Sequence, residues 1–308
     1  MERRTFLTKA AAGVAASAVA APALAQTAAP AAQGAPAVKW RITSSFPKSL
    51  DTIYGGAETL AKRVSAITGG KFQIQVFASG EIVPGPGVFD AVKDGTVECG
   101  HAASYWYIGK DPALAFDTAL PFGLNSRQQT AWMMEGGGLQ LMREFFKDYN
   151  IHNIPCGNTG TQMGGWFRKE IKSLAEFKGT KFRVGGFGGK VVERIGGVPQ
   201  NIPGAEIYQA LEKGTIDAAE WVGPYDDQKL GFFKVAPFYA YPGWWEGGPG
   251  IELHVNAKAF DALPAEYKAM IETACGYCHM DMVGKYDAKN AAALNPAART
   301  VASLATPA

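Results

Sequence analysis

Five consecutive residues, Cys275-Gly276-Tyr277-Cys278-His279, have the Cys-x-x-Cys-His spacing at which two thiols attach a haem and the histidine ligates its iron. Met280 and Met282 follow and would offer a further axial ligand. The context opposes that chemistry. The motif lies inside one amphipathic helical pattern that opens at Pro264-Ala265-Glu266 and runs to about Ala293, without the loop of a haem site. Zinc fares no better, because three clustered ligands have no second pair nearby. No catalytic set stands out. His101, His152, His254 and His279 are the only histidines, and neither a nucleophile elbow nor a phosphate loop accompanies them. Gly185-Gly186-Phe187-Gly188-Gly189 matches no phosphate-cradling pattern. What remains is binding chemistry. Tyr105-Trp106-Tyr107, Trp221 and Trp244-Trp245 are dense enough to supply an apolar wall with hydroxyl and indole donors. At least half of these rings must be core; Tyr105 and Trp221 are placed at the site. On residue type alone, Arg183 reads as the partner of Glu170 or Glu193.

The elements that must carry these residues alternate between strand and helix. Lys39 to Thr43 alternates as a strand, a helix covers Ile53 to Ile67 with Gly69-Gly70 as its stop, and Lys71 to Phe77 alternates again. Further on, Ser126 is expected to cap a helix over Arg127 to Glu135, and a second helix covers Leu139 to Tyr149. Ile151 to Pro155 and Trp166-Phe167 read as strands around Gly157-Asn158-Thr159-Gly160. The chain also echoes itself. Phe89-Asp90-Ala91-Val92-Lys93-Asp94-Gly95-Thr96-Val97-Glu98-Cys99-Gly100 matches Tyr208-Gln209-Ala210-Leu211-Glu212-Lys213-Gly214-Thr215-Ile216-Asp217-Ala218-Ala219 in type and register. Each copy is a helix stopped by a left-handed glycine and followed by a strand. Lys71 to Phe77 precedes the first copy, and Lys181 to Gly185 is taken as its counterpart before the second. Two copies are too few for a solenoid and fit two similar α/β lobes facing one another.

The amino terminus addresses the compartment. Arg3-Arg4-Thr5-Phe6-Leu7, a mild Ala/Gly-rich run from Ala10 to Ala20 and Ala23-Leu24-Ala25 form a twin-arginine export signal over residues 1–25. Such a signal carries a folded protein, which further opposes haem attachment to an unfolded chain. Residues 26–37 read as a flexible leader. Neither this run nor any later one has the length and apolarity of a membrane span. The whole chain carries 30 Lys and Arg against 28 Asp and Glu. Without residues 1–25 the two balance, so there is no basic field for nucleic acid. The four cysteines, Cys99, Cys156, Cys275 and Cys278, have no pairing that spacing alone decides.

Lys181-Phe182-Arg183-Val184, the run from Gly214 to Trp221 and Asn158-Thr159-Gly160-Thr161-Gln162-Met163-Gly164-Gly165-Trp166 together resemble one family. It is the DctP family, the solute-binding subunits of tripartite ATP-independent periplasmic (TRAP) transporters, and within it the branch for 2-oxo acids and small monocarboxylates. The resemblance spans about Val38 to Ala292. It implies a two-lobed α/β periplasmic binding protein with a ligand cleft between the lobes, closing by hinge motion and delivering its ligand to TRAP membrane subunits. It implies that Arg183 takes the ligand carboxylate, for which a guanidinium offers two parallel charge-assisted hydrogen bonds. Gln162, Trp221, Tyr105 and Asn158 are the further expected ligand contacts. It also implies Na⁺ or Ca²⁺ beside the ligand, held by Gln162, the Trp221 carbonyl and Glu246 or Glu220. No haem is expected. The alternative class is an enzyme acting on a small organic acid on the same fold.

The expected domains are lobe one over 38–155, lobe two over 156–248, and a crossing segment, long helix and tail over 249–308. Asn295 to Ala308 is rich in Ala, Ser, Thr and Pro without periodicity, and reads as a low-complexity tail. The resemblance implies a long C-terminal helix that supports dimers. Its absence here leads to the expectation of a lost or weakened dimer.

Overall fold

The computed structural model describes residues 34–297 and 301–303, with side chains through residue 294. The signal at 1–25 and most of the leader lie outside the described residues. The leader's last residues are engaged: Tyr267 donates to the Pro36 carbonyl at 3.0 Å, and Lys71 Nζ to that of Ala35 at 3.4 Å.

Two sheets form the body. The first has the order β2-β1-β3-β10-β4, where β1 is Val38–Ser44, β2 Phe72–Phe77, β3 Cys99–Ala102, β4 Ile151–Asn158 and β10 Gly250–Asn256. β1 runs parallel to β2 and β3, while β10 is antiparallel to β3 and β4. Helix α1 (Ile53–Ile67) links β1 to β2, and α2 (Val88–Lys93) precedes β3. Ile53, Ala57, Leu60 and Val64 make the buried stripe of α1, at the spacing of three and four that puts side chains on one helical face.

The second sheet repeats this plan. Here β5 is Gly165–Phe167, β6 Lys181–Arg183, β7 Val198–Gln200, β8 Ala218–Ala219 and β9 Phe238–Tyr241. The run β7-β6-β8-β5-β9 has the same parallel, parallel, antiparallel, antiparallel sequence as the first sheet. After the short helix α5 (Leu174–Phe177), α6 (Gly188–Arg194) and α7 (Gly204–Glu212) take the places of α1 and α2. The echo is thus a structural repeat, and its helix stops match bond for bond. Thr96 donates to the Ala91 carbonyl at 2.8 Å and Gly95 to that of Val92 at 3.1 Å; Thr215 and Gly214 do the same to Ala210 and Leu211 at 3.0 and 3.1 Å. Gly95 and Gly214 have φ of 75° and 70°, the left-handed turn that a side chain resists. One correspondence needs correcting. The strand before the second copy is β7, not the run from Lys181; β6 is the counterpart of β1.

Several boundaries also differ from expectation. The first lobe holds α3 (Ser126–Glu135) and α4 (Gly138–Lys147). Asn125, not Ser126, caps α3, because its carboxamide and Gln128 exchange bonds with each other's backbone N–H, both at 3.0 Å. β4 stays in the first sheet as far as Asn158, paired with Gly250, so the chain crosses between sheets at 159–164 and not at 155–156. It returns at 242–249. The two crossing segments are tied together: Gly164 donates to Ala240 at 2.7 Å, Gly243 to Gln162 at 3.2 Å and Thr159 to Pro249 at 3.2 Å.

After α9 (Ala257–Asp261) comes the long helix α10 (Ala265–Ala297), which packs on β4 and α1 and also on α8 (Pro224–Leu230) of the second lobe. Tyr267, Ile271, Cys275, Cys278, Met282 and Tyr286 form its buried stripe. Tyr286 donates to Asp226 at 2.7 Å, and Tyr225 N to Asn290 at 3.0 Å. Cys275 and Cys278 therefore face a hydrophobic core that also holds Cys99 and Cys156, while Met280 points outward. All four cysteines are free thiols. Among the described residues of the tail, 295–297 continue α10 and β11 (Val301–Ser303) runs parallel to β9 at the edge of the second sheet. The tail expectation is corrected over those residues.

Candidate functional site

In a parallel αβ arrangement, ligands sit beyond the carboxyl ends of the strands, where connections diverge to either side. Both sheets present such ends toward one cavity. Phe46, Tyr105 and Trp106 reach it from beyond β1 and β3 of the first lobe, and Arg183 and Trp221 from the ends of β6 and β8 of the second. Gln162 and Glu246 come from the two crossing segments. Thr159 also lines it, and the space amounts to about 290 Å³, its open side included.

Arg183 is almost wholly buried. Its partner is neither Glu170 nor Glu193 but Glu220. Nη1 donates to the Glu220 carbonyl at 2.8 Å and to Oε1 at 2.5 Å, and Nε donates to the Ile202 carbonyl at 3.1 Å. The Trp221 ring lies 5.0 Å from the guanidinium carbon, a cation–π distance. These bonds consume Nε and both protons of Nη1. Nη2 is the guanidinium nitrogen left without a protein acceptor. Glu220 Oε1 also accepts from Gly185 N at 2.8 Å. Burial nevertheless raises the Glu220 carboxyl above its ordinary value, with Arg183 opposing.

Tyr105 comes from the opposite lobe and lies flat against the Gly185-Gly186 turn. A Cβ added to Gly186, whose φ is 54°, would stand 2.1 Å from the Tyr105 ring. The glycine-rich loop thus serves close approach of the two lobes. Trp106 joins the lining and packs 6.2 Å from Trp221, centroid to centroid; its place in the aromatic triplet was the available signal. Trp244 and Trp245 do not line the cavity: Trp244 stacks on Phe122 and Trp245 packs on Phe182. Asn158, expected as a ligand contact, does not line this cavity. Its amide donates to the Gly248 carbonyl and accepts from Gly160 N, both at 2.8 Å, which fixes the two crossing segments.

The residues fit a hard cation on a specific observation. Both oxygens of Glu246, Oε2 of Glu220 and Oε1 of Gln162 are buried without a hydrogen-bond donor. Gln162 spends its amide nitrogen on Thr159 Oγ1 at 3.1 Å. Glu246 is not a solvated charge but 2 % exposed. Burial pushes its carboxyl well above the ordinary range, and the Glu220 charge adds to that. Two buried carboxylates and an idle amide oxygen are the donors Na⁺ or Ca²⁺ takes. Among the described residues no three His, Cys, Asp or Glu gather at one point, so neutral oxygens would have to complete the shell.

Two lobes with repeated topology, crossing segments between them and a buried arginine over a small cavity define a two-lobed binding protein. Residues 43–302 match the model of the DctP family, bacterial extracellular solute-binding protein family 7, and the chain belongs to that family. It is a solute-binding protein of TRAP transport working outside the cytoplasm, and not an enzyme. A Nostoc protein named monocarboxylate 2-oxoacid-binding periplasmic protein is 56% identical over 261 residues, 85% of this chain and 71% of that one. A TRAP solute-binding protein of Bordetella bronchiseptica, a mixed-occupancy dimer with copurified calcium and picolinate, superposes with a TM-score of 0.86 at 57% identity, covering 87% of this chain and 81% of that one. A Pseudoalteromonas atlantica protein with bound sodium and pyruvate gives 0.83 at 39%, covering 87% and 82%.

Proposed function

We propose that this protein captures a 2-oxo acid or related small monocarboxylate between its lobes, together with Na⁺ or Ca²⁺, and delivers the acid to TRAP membrane subunits after twin-arginine export. The observation that carries the reading is the set of donorless oxygens on Glu246, Glu220 and Gln162 beside the one free nitrogen of Arg183. A cation there offsets the buried carboxylates and offers open positions to the ligand. Pyruvate and picolinate, bound by the two relatives, share a chemistry that suits this: a carboxylate with a second donor atom on the adjacent carbon, ketone oxygen in one and ring nitrogen in the other. Such an acid chelates the ion while its carboxylate meets Nη2 of Arg183. Trp221, Tyr105 and Phe46 then cover the apolar remainder.

Thermal-shift measurements on the chelated mature protein test this directly. Pyruvate, other 2-oxo acids and picolinate should raise the melting temperature only with Na⁺ or Ca²⁺ present, and acetate, which lacks the second donor, should do far less. Equal stabilisation by acetate, or no cation dependence, overturns the reading.

A further inference from the structure

A second chamber lies inside the first lobe, away from the ligand cavity, between β4, β10, α3 and α10. Asp117 and Glu252 both line it. Glu252 is 1 % exposed; the Asn153 side chain is its hydrogen-bonding neighbour, and Oε2 is sealed from solvent without a partner. The backbone aims it there. β10 and β4 slip register between Ile251 and Glu252, which leaves Cys156 unpaired and sets Glu252 opposite Pro155. Such a bulge re-aims a side chain at the expense of the ladder.

Among the described residues no cation contacts either acid, and Arg143 acts on Glu252 only through its charge. Ser104 donates to Asp117 Oδ2 at 2.7 Å, so His254 Nε2, 2.9 Å from the same hydroxyl, must be the donor in that contact. Thr130 donates to the Ser126 carbonyl at 2.8 Å, so His279 Nε2, 2.9 Å from its hydroxyl, is a donor too. Burial holds both imidazoles neutral, His254 down to about 3. Arg143 is paired with Glu272 at 2.5 Å. A buried carboxylate oxygen without a partner, on a group with no counter-charge in contact, is costly in a protein interior.

We propose that this chamber is a second cation site, in which Asp117 and Glu252 hold one Ca²⁺ with the hydroxyl and carbonyl oxygens around them. Two carboxylates balance a divalent ion. The chamber has room for about one water-sized particle, which suits an ion stripped of water and disfavours Mg²⁺, which keeps its hydration waters. The site lies where Asn158 and Gly250 join the first sheet to the crossing segments, so a bound ion would brace the root of the hinge.

Equilibrium dialysis of chelated mature protein against CaCl₂ alone, followed by atomic emission, decides the matter. Wild type should retain one more Ca²⁺ per chain than Glu252→Gln. Glu246→Gln, altered at the ligand cavity, should still retain one. The same bound calcium in wild type and Glu252→Gln, or none in Glu246→Gln, overturns the proposal and leaves the chamber to water or a shared proton. Glu252→Gln should melt no lower than wild type in metal-free buffer and should lose the Ca²⁺-induced rise. The same single Ca²⁺ in wild type and Glu246→Gln, with none in Glu252→Gln, would contradict the ligand-cavity reading and leave this one standing.

Discussion

Arg183 ends β6 and Glu220 directly follows its parallel neighbour β8 in the second lobe, and Nη1 of the first reaches both the carbonyl and the carboxylate of the second. The guanidinium is therefore fixed by the lobe that carries it, with Nη2 the nitrogen that no protein acceptor uses.

Replacing Arg183 separates binding from folding. Arg183→Lys keeps the charge but loses the planar array, and ligand affinity measured by calorimetry should fall steeply. Removing one partner of a buried charged contact costs about 2–5 kcal/mol. Arg183→Ala should also lower the melting temperature, because it leaves Glu220 buried and unpaired. Wild-type affinity in Arg183→Ala would refute the assignment.

Glu246 governs a pH dependence. Its folded-state carboxyl titrates well above the ordinary 4.5, so the folded state holds the proton more tightly than the unfolded chain. That contribution to stability is present in acid and is lost as pH rises from about 4.5 through the folded value. In chelated, sodium-free buffer the melting temperature should decline over that range, less so in Glu246→Gln. Asp226 and Asp227, both raised to about 7 by burial, add to the decline in both proteins. Saturating Ca²⁺ should flatten the difference between the two. A curve for Glu246→Gln as steep as the wild type's contradicts the buried, ionisable role.

Gly186→Val should impair closure without unfolding either lobe. Its Cβ would enter the Tyr105 ring, and the positive φ adds strain. Calorimetry should show weakened ligand binding and scattering a more open particle at saturating ligand. Unchanged affinity would mean that Tyr105 does not approach this loop in the bound state.

The thiols are testable by titration. Cys99, Cys156, Cys275 and Cys278 are buried and unpaired, so Ellman's reagent should find none in the native protein and four after denaturation. Fewer than four in denaturant would show disulfides. A hydrogen bond with Cys275 and burial raise Cys156, a hydrogen bond with Cys156 and burial raise Cys278, and burial raises Cys99 and Cys275, which makes the native protein inert to alkylation as well.

Periodic residues were readable in advance, and contacts across the sheet were not. The α1 stripe and the two Gly-Thr helix stops are local, and they carried the lobed plan. β7 went unseen because three residues with Pro199 at their centre have no alternation to detect. The Arg183–Glu220 pair joins residues 37 apart through strand pairing, which spacing does not reveal. Asn158 has the type of a ligand contact, but its donor and acceptor are already spent on backbone. The Cys-x-x-Cys-His spacing is a by-product of a helical stripe that places Cys275 and Cys278 inward.

Gln162 and Glu246 belong to the crossing segments, whereas Arg183 and Tyr105 belong to opposite lobes. If the lobes swing as proposed, groups on the axle move least and groups on the arms move most. On that reading an ion held by Gln162 and Glu246 would keep its protein donors through the swing, while an acid touching Arg183 would gain Tyr105 only at its end. The proposed cation would then be a resident that arms the cleft, the acid the passenger that shuts it, and release to a membrane partner would need only the arms to part.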